Sequence, residues 1–143
     1  MYRRNAAGEL QVLLAHPGGP YWRGKDAGTW TIPKGEYEPP EDALAAALRE
    51  WREETGFAAH GPFVLLGEVT LKSGKRIVAW AFEGNCDPQA LRSNEFQVEW
   101  PPRSGRMQSF PEVDRVEWFD LAEAQLRIHP AQAPLVDRLR DAV

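Results

Sequence analysis

A chain of 143 residues, 43% of them hydrophobic and 27% charged, has the composition of an ordinary globular protein and is expected to form a single domain over residues 1–143. Its formal charge of −4 argues against polymeric nucleic acid as a partner, and no apolar run approaches the length of a membrane span. The lone Cys86 excludes an internal disulfide and a multi-cysteine zinc site, so a reducing cytoplasmic setting is expected.

In chain order, Met1 to Arg4 reads as the tail of a strand, turned at Asn5 to Gly8 into a second strand over Leu10 to Ala15. Residues 16–35 combine glycine, proline, aromatics and cations in a long loop, and loops of this length are often functional. Tyr21, Trp22, Arg23 and Lys25 have the chemistry to stack on a base and meet phosphate; the alternative is a loop whose aromatics cap the core. The Lys34 ammonium either reaches phosphate or is simply solvated.

A helix follows. Pro39 and Pro40 suit its entrance, Glu41 and Asp42 favour its positive end, and Gly56 supplies a left-handed stop. At about 100° per residue, Glu50, Glu53 and Glu54 share one sector, while Leu44, Leu48 and Trp51 form a core stripe. Like charges at these spacings repel by a few tenths of a kcal/mol per pair, and anions are disfavoured near a helix C-terminus. Arg49 and Arg52 relieve part of this. A divalent cation would relieve more, since carboxylate oxygens are the ligands Mg²⁺ prefers; the alternative is a solvated acidic face laced with arginines.

Beyond the helix, Phe63 to Leu71 and Ile77 to Glu83 alternate like a hairpin closed by Lys72-Ser-Gly-Lys75. Lys72, Lys75 and Arg76 at its tip either contact phosphate or keep the turn soluble. Residues 84–94 read as a polar connection in which Cys86 is a bystander. Glu95 to Trp100 alternates like a strand ended by Pro101-Pro102. Arg103 to Phe110 reads as a polar loop, Pro111 to Asp120 leads into a strand, and Leu121 to Leu126 and Ala133 to Val143 read as helices. His16, His60 and His129 share no ligand spacing and are expected to be structural or solvated.

The stretch from Gly35 to Phe57 fits Gly-x5-Glu-x7-Arg-Glu-U-x-Glu-Glu-x-Gly-U, where U is bulky and apolar, with Gly35, Glu41, Arg49, Glu50, Trp51, Glu53, Glu54, Gly56 and Phe57 in the fixed places. It resembles the signature of the Nudix hydrolases, departing only in that the first U, usually aliphatic, is Trp51. Trp30-Thr-Ile-Pro-Lys34 leading into Gly35 resembles the entrance of family members that act on dinucleoside polyphosphates. Glu112, six residues before Trp118, resembles a loop glutamate that in several members reaches the metals.

The resemblance implies an α+β fold, the Nudix-type α/β/α sandwich with a mixed central β-sheet. It further implies Mg²⁺ or Mn²⁺ held by Glu50, Glu53, Glu54 and the Lys34 carbonyl, with Glu112 as a further ligand or the general base. Arg49 would orient the glutamates, Glu41 would be structural or lie outside the ligand set, and Gly35 and Gly56 would permit backbone geometry that a side chain obstructs. The implied reaction is hydrolysis of a phosphoanhydride in a nucleoside diphosphate linked to another moiety, with dinucleoside polyphosphates the first expectation. Alternatives are a nucleoside triphosphate pyrophosphohydrolase, an ADP-ribose or inositol pyrophosphate hydrolase, a non-catalytic nucleotide sensor, and an acidic helix that serves only structure or a protein partner. The expected partner is a small phosphorylated molecule, with no membrane. Nudix proteins usually open with a longer strand, so the short opening here is expected to reflect either a truncated start or an edge covered by a neighbouring segment; an uncovered edge would invite pairing with another chain, as in a homodimer.

Overall fold

The structure of the chain, a computed structural model, describes residues 1–34 and 41–143. Gly35, Pro39 and Pro40 lie outside the described residues. The elements run β1 (Tyr2–Arg4), β2 (Leu10–Pro17), α1 (Ala43–Thr55), β3 (Val64–Thr70), β4 (Arg76–Ala81), β5 (Glu95–Glu99), β6 (Met107–Pro111), β7 (Val113–Asp120), α2 (Leu121–Arg127) and α3 (Ala133–Ala142).

Strand β2 lies between β1 and β7, antiparallel to both. Its successive side chains point to opposite faces, as the strand period requires. Val12 and Leu14 pack with Phe119, Ala124, Ile128, Val136 and Leu139, whereas Leu13 and Ala15 pack with Trp51, Phe82, Val113 and Val116. One face therefore meets α2 and α3 and the other meets α1. Fully burying Leu13 and Leu14 contributes roughly 1.5–3 kcal/mol each.

The outer edge of β1 is covered. Tyr2 donates its N–H to the Phe82 carbonyl at 3.0 Å and accepts from Gly84 at 2.9 Å, a parallel bridge that makes the strand arrangement mixed. A homodimer argued from an exposed edge loses its basis at Tyr2, because the chain after β4 already takes those bonds.

Helix α1 begins where Asp42 accepts from the Ala45 N–H at 3.0 Å, relieving one of the unpaired donors of the first turn. It ends at Gly56, whose φ of +74° suits glycine and whose N–H donates to the Arg52 carbonyl at 2.8 Å. Trp51 packs edge-on against Phe82 with ring centroids 5.2 Å apart. Leu44 and Leu48, from the same stripe, line an apolar cavity shared with Leu135, Val136 and Leu139.

The expected polar loop over Arg103 to Phe110 is corrected by the structure: Met107–Pro111 is strand β6, paired antiparallel with β5 from Glu95↔Pro111 to Glu99↔Met107. Met107, Gln108 and Ser109 are all exposed, so this strand has no apolar alternation and is held by backbone pairing with β5. None of the helices among the described residues is long and apolar enough to cross a membrane.

Candidate active site

The end of α1 carries the acidic sector, in which Glu50 and Glu54 are half-buried and Glu53 is exposed. The Glu54 carboxylate accepts the Lys34 N–H at 2.8 Å. Burial pushes the Glu54 carboxyl up to about 8, against the pull of that bond, and the nearby charges of Glu50 and Glu112 push the same way. Glu50, Glu54 and Glu112, from two distant parts of the chain, are thus electrostatic neighbours. Backbone bonds bring Glu112 there: the Asn94 N–H donates to the Glu53 carbonyl at 2.7 Å, the Glu112 N–H to the Asn94 carbonyl at 2.9 Å, and the Gly18 N–H to the Glu112 carbonyl at 2.9 Å.

Arg49 knits the remaining acids together. Its guanidinium donates to both Glu41 oxygens at 3.1 Å, to Glu50 at 2.8 Å and to Glu53 at 3.5 Å. Glu41 first, then Glu50, holds the arginine still more firmly protonated than usual. Glu41, expected to be structural or to lie outside the ligand set, is joined to the cluster through Arg49. With two helix glutamates on Arg49 and the third on Lys34, no group of three His, Cys, Asp or Glu side chains stands open as a cation cage among the described residues. The donor set nevertheless fits a hard divalent cation in its chemistry. It is made of carboxylate oxygens, and it includes a half-buried carboxyl among like charges whose cost a cation would offset. Arg49 engages one oxygen of Glu50 and one of Glu53, so the second oxygen of each carboxylate is left for such an ion.

The loop after β2 is pinned on both flanks. Buried His16, 2% exposed, places Nδ1 2.8 Å from Asp114 and Nε2 2.7 Å from the Lys25 carbonyl. Asp26 accepts the buried Trp30 indole N–H at 2.7 Å and pairs with Arg127; the indole N–H, then Arg127, hold its carboxyl below the usual range. On the other flank the backbone passes so close that a Cβ on Gly18 would come within 1.9 Å of the Pro111 carbonyl oxygen, and one on Gly19 within 2.8 Å of the Phe96 ring.

Between these anchors Tyr21 and Trp22 are 54% and 42% exposed, and the Lys25 ammonium lies 5.2 Å from the Trp22 ring centre. Tyr21, Trp22, Arg23 and Lys25 thus share one anchored loop, whereas Lys72 and Lys75 sit on the exposed turn between β3 and β4, a separate element. Trp100 joins the loop group, its ring edge-on to Tyr21 at 5.4 Å. Its place at the end of the β5 alternation is the only trace of this in the sequence. His129 caps a short turn by accepting the Ala131 N–H at 3.1 Å.

Helix α1 on one side of the strands, α2 and α3 on the other, and an acidic helix end at their margin define an α+β sandwich of the Nudix type. The chain belongs to the NUDIX domain family, whose model matches residues 1–139. The asymmetrical bis(5'-nucleosyl)-tetraphosphatase of Rattus norvegicus is 42% identical over 76 residues, covering 48% of this chain and 52% of that protein. The chain thus spans about half the length of that relative. An uncharacterized 17.7 kDa protein of Enterobacteria phage T4 is 30% identical over 102 residues, covering 66% of this chain and 68% of its own length. Among solved structures, a binary complex of the C. elegans Ap4A hydrolase superposes with a TM-score of 0.63 at 20% identity, covering 98% of this chain and 91% of that one. The NUDIX domain of Shewanella oneidensis NrtR, complexed with ADP ribose, gives 0.65 at 18% identity, covering 98% and 81%.

Proposed function

We propose that this chain is a Nudix pyrophosphohydrolase that cleaves a phosphoanhydride bond in a nucleoside diphosphate linked to another moiety, with dinucleoside polyphosphates as the first substrate class. The observation that carries this is the gathering of the half-buried Glu54, held by the Lys34 N–H at 2.8 Å, with Glu50 and Glu112 at the end of α1, a place where negative charge is costly unless a cation joins it. The choice of substrate class is supported by the similarity to a tetraphosphatase.

Glu50, Glu53, Glu54 and Glu112, with the Lys34 carbonyl, would hold Mg²⁺ or Mn²⁺. When bound, such an ion supplies acidification of the attacking water and neutralisation of charge on the leaving oxygen. Glu112 or a helix glutamate takes the proton from that water. Arg49 positions Glu50 and Glu53 through the pairs it already makes. Tyr21 and Trp22 offer faces to a base, while Arg23, Lys25 and the Lys34 ammonium offer charge to phosphates. Lys72 and Lys75 would act only on a ligand long enough to reach the β3–β4 turn. The lone Cys86 fits a reducing cytoplasm.

Diadenosine tetraphosphate, nucleoside triphosphates, ADP-ribose and inositol pyrophosphates, incubated with Mg²⁺ or Mn²⁺ and resolved by chromatography, test the assignment. Cleavage of the tetraphosphate is expected, with Glu54→Gln lowering kcat at least about a hundredfold, as loss of a group that binds metal or moves a proton does, while the variant still folds and melts cooperatively. An intact tetraphosphate beside cleaved triphosphates would overturn the substrate class; full activity of Glu54→Gln would remove Glu54 from the mechanism.

A further inference from the structure

We propose that the β5–β6 hairpin, through Trp100 set against Tyr21, is a stacking seat for the base of the nucleoside farther from the cleaved phosphate. It rests on the hydrolase assignment above and makes the hairpin that enzyme's specificity element.

The hairpin grows out of the acidic helix end. The Arg92 N–H donates to the Thr55 carbonyl at 2.9 Å and the Asn94 N–H to the Glu53 carbonyl at 2.7 Å, and Glu112 closes its return strand. Phe96, Val98 and Trp100 form its inward face, with Glu95, Gln97 and Glu99 turned outward and exposed. The anchored loop follows that inward face: Gly19 lies against the Phe96 ring and Tyr21 against Trp100. The Trp100 backbone is fixed, its N–H donating to the Arg106 carbonyl at 2.9 Å and its carbonyl accepting from the Gln108 side chain at 2.8 Å.

The Tyr21 and Trp100 rings meet at an interplanar angle of 80°, so one ring leaves its face uncovered by the other, and Tyr21 is more than half exposed. A rigid aromatic face that every base can stack on is what sequence-tolerant base binding uses. Arg23, Arg103 and Arg106 are exposed nearby in the loop and hairpin and form no ion pair among the described residues, so the track from helix end to hairpin tip offers cations to an anionic ligand. Distance selects the ligand. Trp100 is five residue steps beyond Glu95, which pairs with Pro111 beside Glu112; at roughly 3.4 Å per step this is about 17 Å. A run of several phosphates bridges such a gap, and a nucleoside monophosphate does not.

Calorimetric titration of the wild type, Trp100→Ala, Trp100→Phe and Tyr21→Ala in Mg²⁺ tests the seat, using a methylene-bridged diadenosine tetraphosphate and inorganic tripolyphosphate as ligands. Removing one stacking partner is expected to raise the dinucleotide Kd about five- to a hundredfold in Trp100→Ala, to be largely reversed in Trp100→Phe, and to leave tripolyphosphate within about twofold. Tyr21→Ala, which removes an exposed ring, gives the same contrast if Trp100→Ala fails to fold. An unchanged dinucleotide Kd, an equal loss for tripolyphosphate, or no dinucleotide binding by the wild type would overturn the proposal. Binding that depends on Trp100 without any cleavage would leave the seat standing and overturn the hydrolase instead; cleavage with Trp100-independent binding would do the reverse.

Discussion

Glu54 shows how a single side chain can oppose stability at neutral pH while serving a site. Its carboxyl is raised from 4.5 to about 8 on folding, so between those values the folded chain binds more protons than the unfolded chain, and stability falls as pH rises through the window. In EDTA, the melting temperature should drop from pH 5 to pH 8, and Glu54→Gln, which cannot ionise, should flatten that drop; identical slopes would show that the carboxyl is not raised. A second residue carries cost in the opposite sense. Asp26 satisfies the indole N–H of Trp30, itself 1% exposed, and leaving a buried donor unpaired costs about 1–3 kcal/mol. Asp26→Ala should lose stability of that order in a denaturant melt, whereas Asp26→Asn, which keeps an acceptor, should lose less than half as much.

At the scale of elements, α1 is held in place by its ends. Gly56 turns left-handed at φ +74°, and a Cβ there would approach the Arg92 Cβ to 3.0 Å, so Gly56→Ala should cost about 1–2 kcal/mol from backbone strain alone and lower the melting temperature by several degrees. Much of this helix was legible in the sequence: Gly56 as its stop and Trp51 on its buried stripe follow from local rules, whereas Asp42, read only as favouring the positive end, is its N-cap. Strand β6 was not, because Met107, Gln108 and Ser109 face solvent and only the pairing with β5 makes them a strand. The helix period also groups Glu50, Glu53 and Glu54 without revealing their partners. The Lys34 N–H that binds Glu54 lies 20 residues away, and Arg49 draws Glu50 and Glu53 out of the open arrangement that spacing alone suggests.

For the whole molecule, the sandwich gathers at one margin what the chain spreads out: the end of α1, Glu112 between β6 and β7, and the loop after β2. The backbone bonds from Glu53 through Asn94 and Glu112 to Gly18 are contacts of high sequence separation that no local pattern encodes. The family signature stood out because it is local, while the site it serves is assembled by the fold. Titration of the chain with Mn²⁺ at pH 7 and pH 9, reading bound metal and released protons together, tests the site most directly. With the Glu54 carboxyl at about 8, saturable binding should release about one proton per ion at pH 7 and far fewer at pH 9, since ligands must be deprotonated to bind metal, and Glu54→Gln should weaken binding and abolish the release. The absence of saturable Mn²⁺ binding at both pH values would contradict the account.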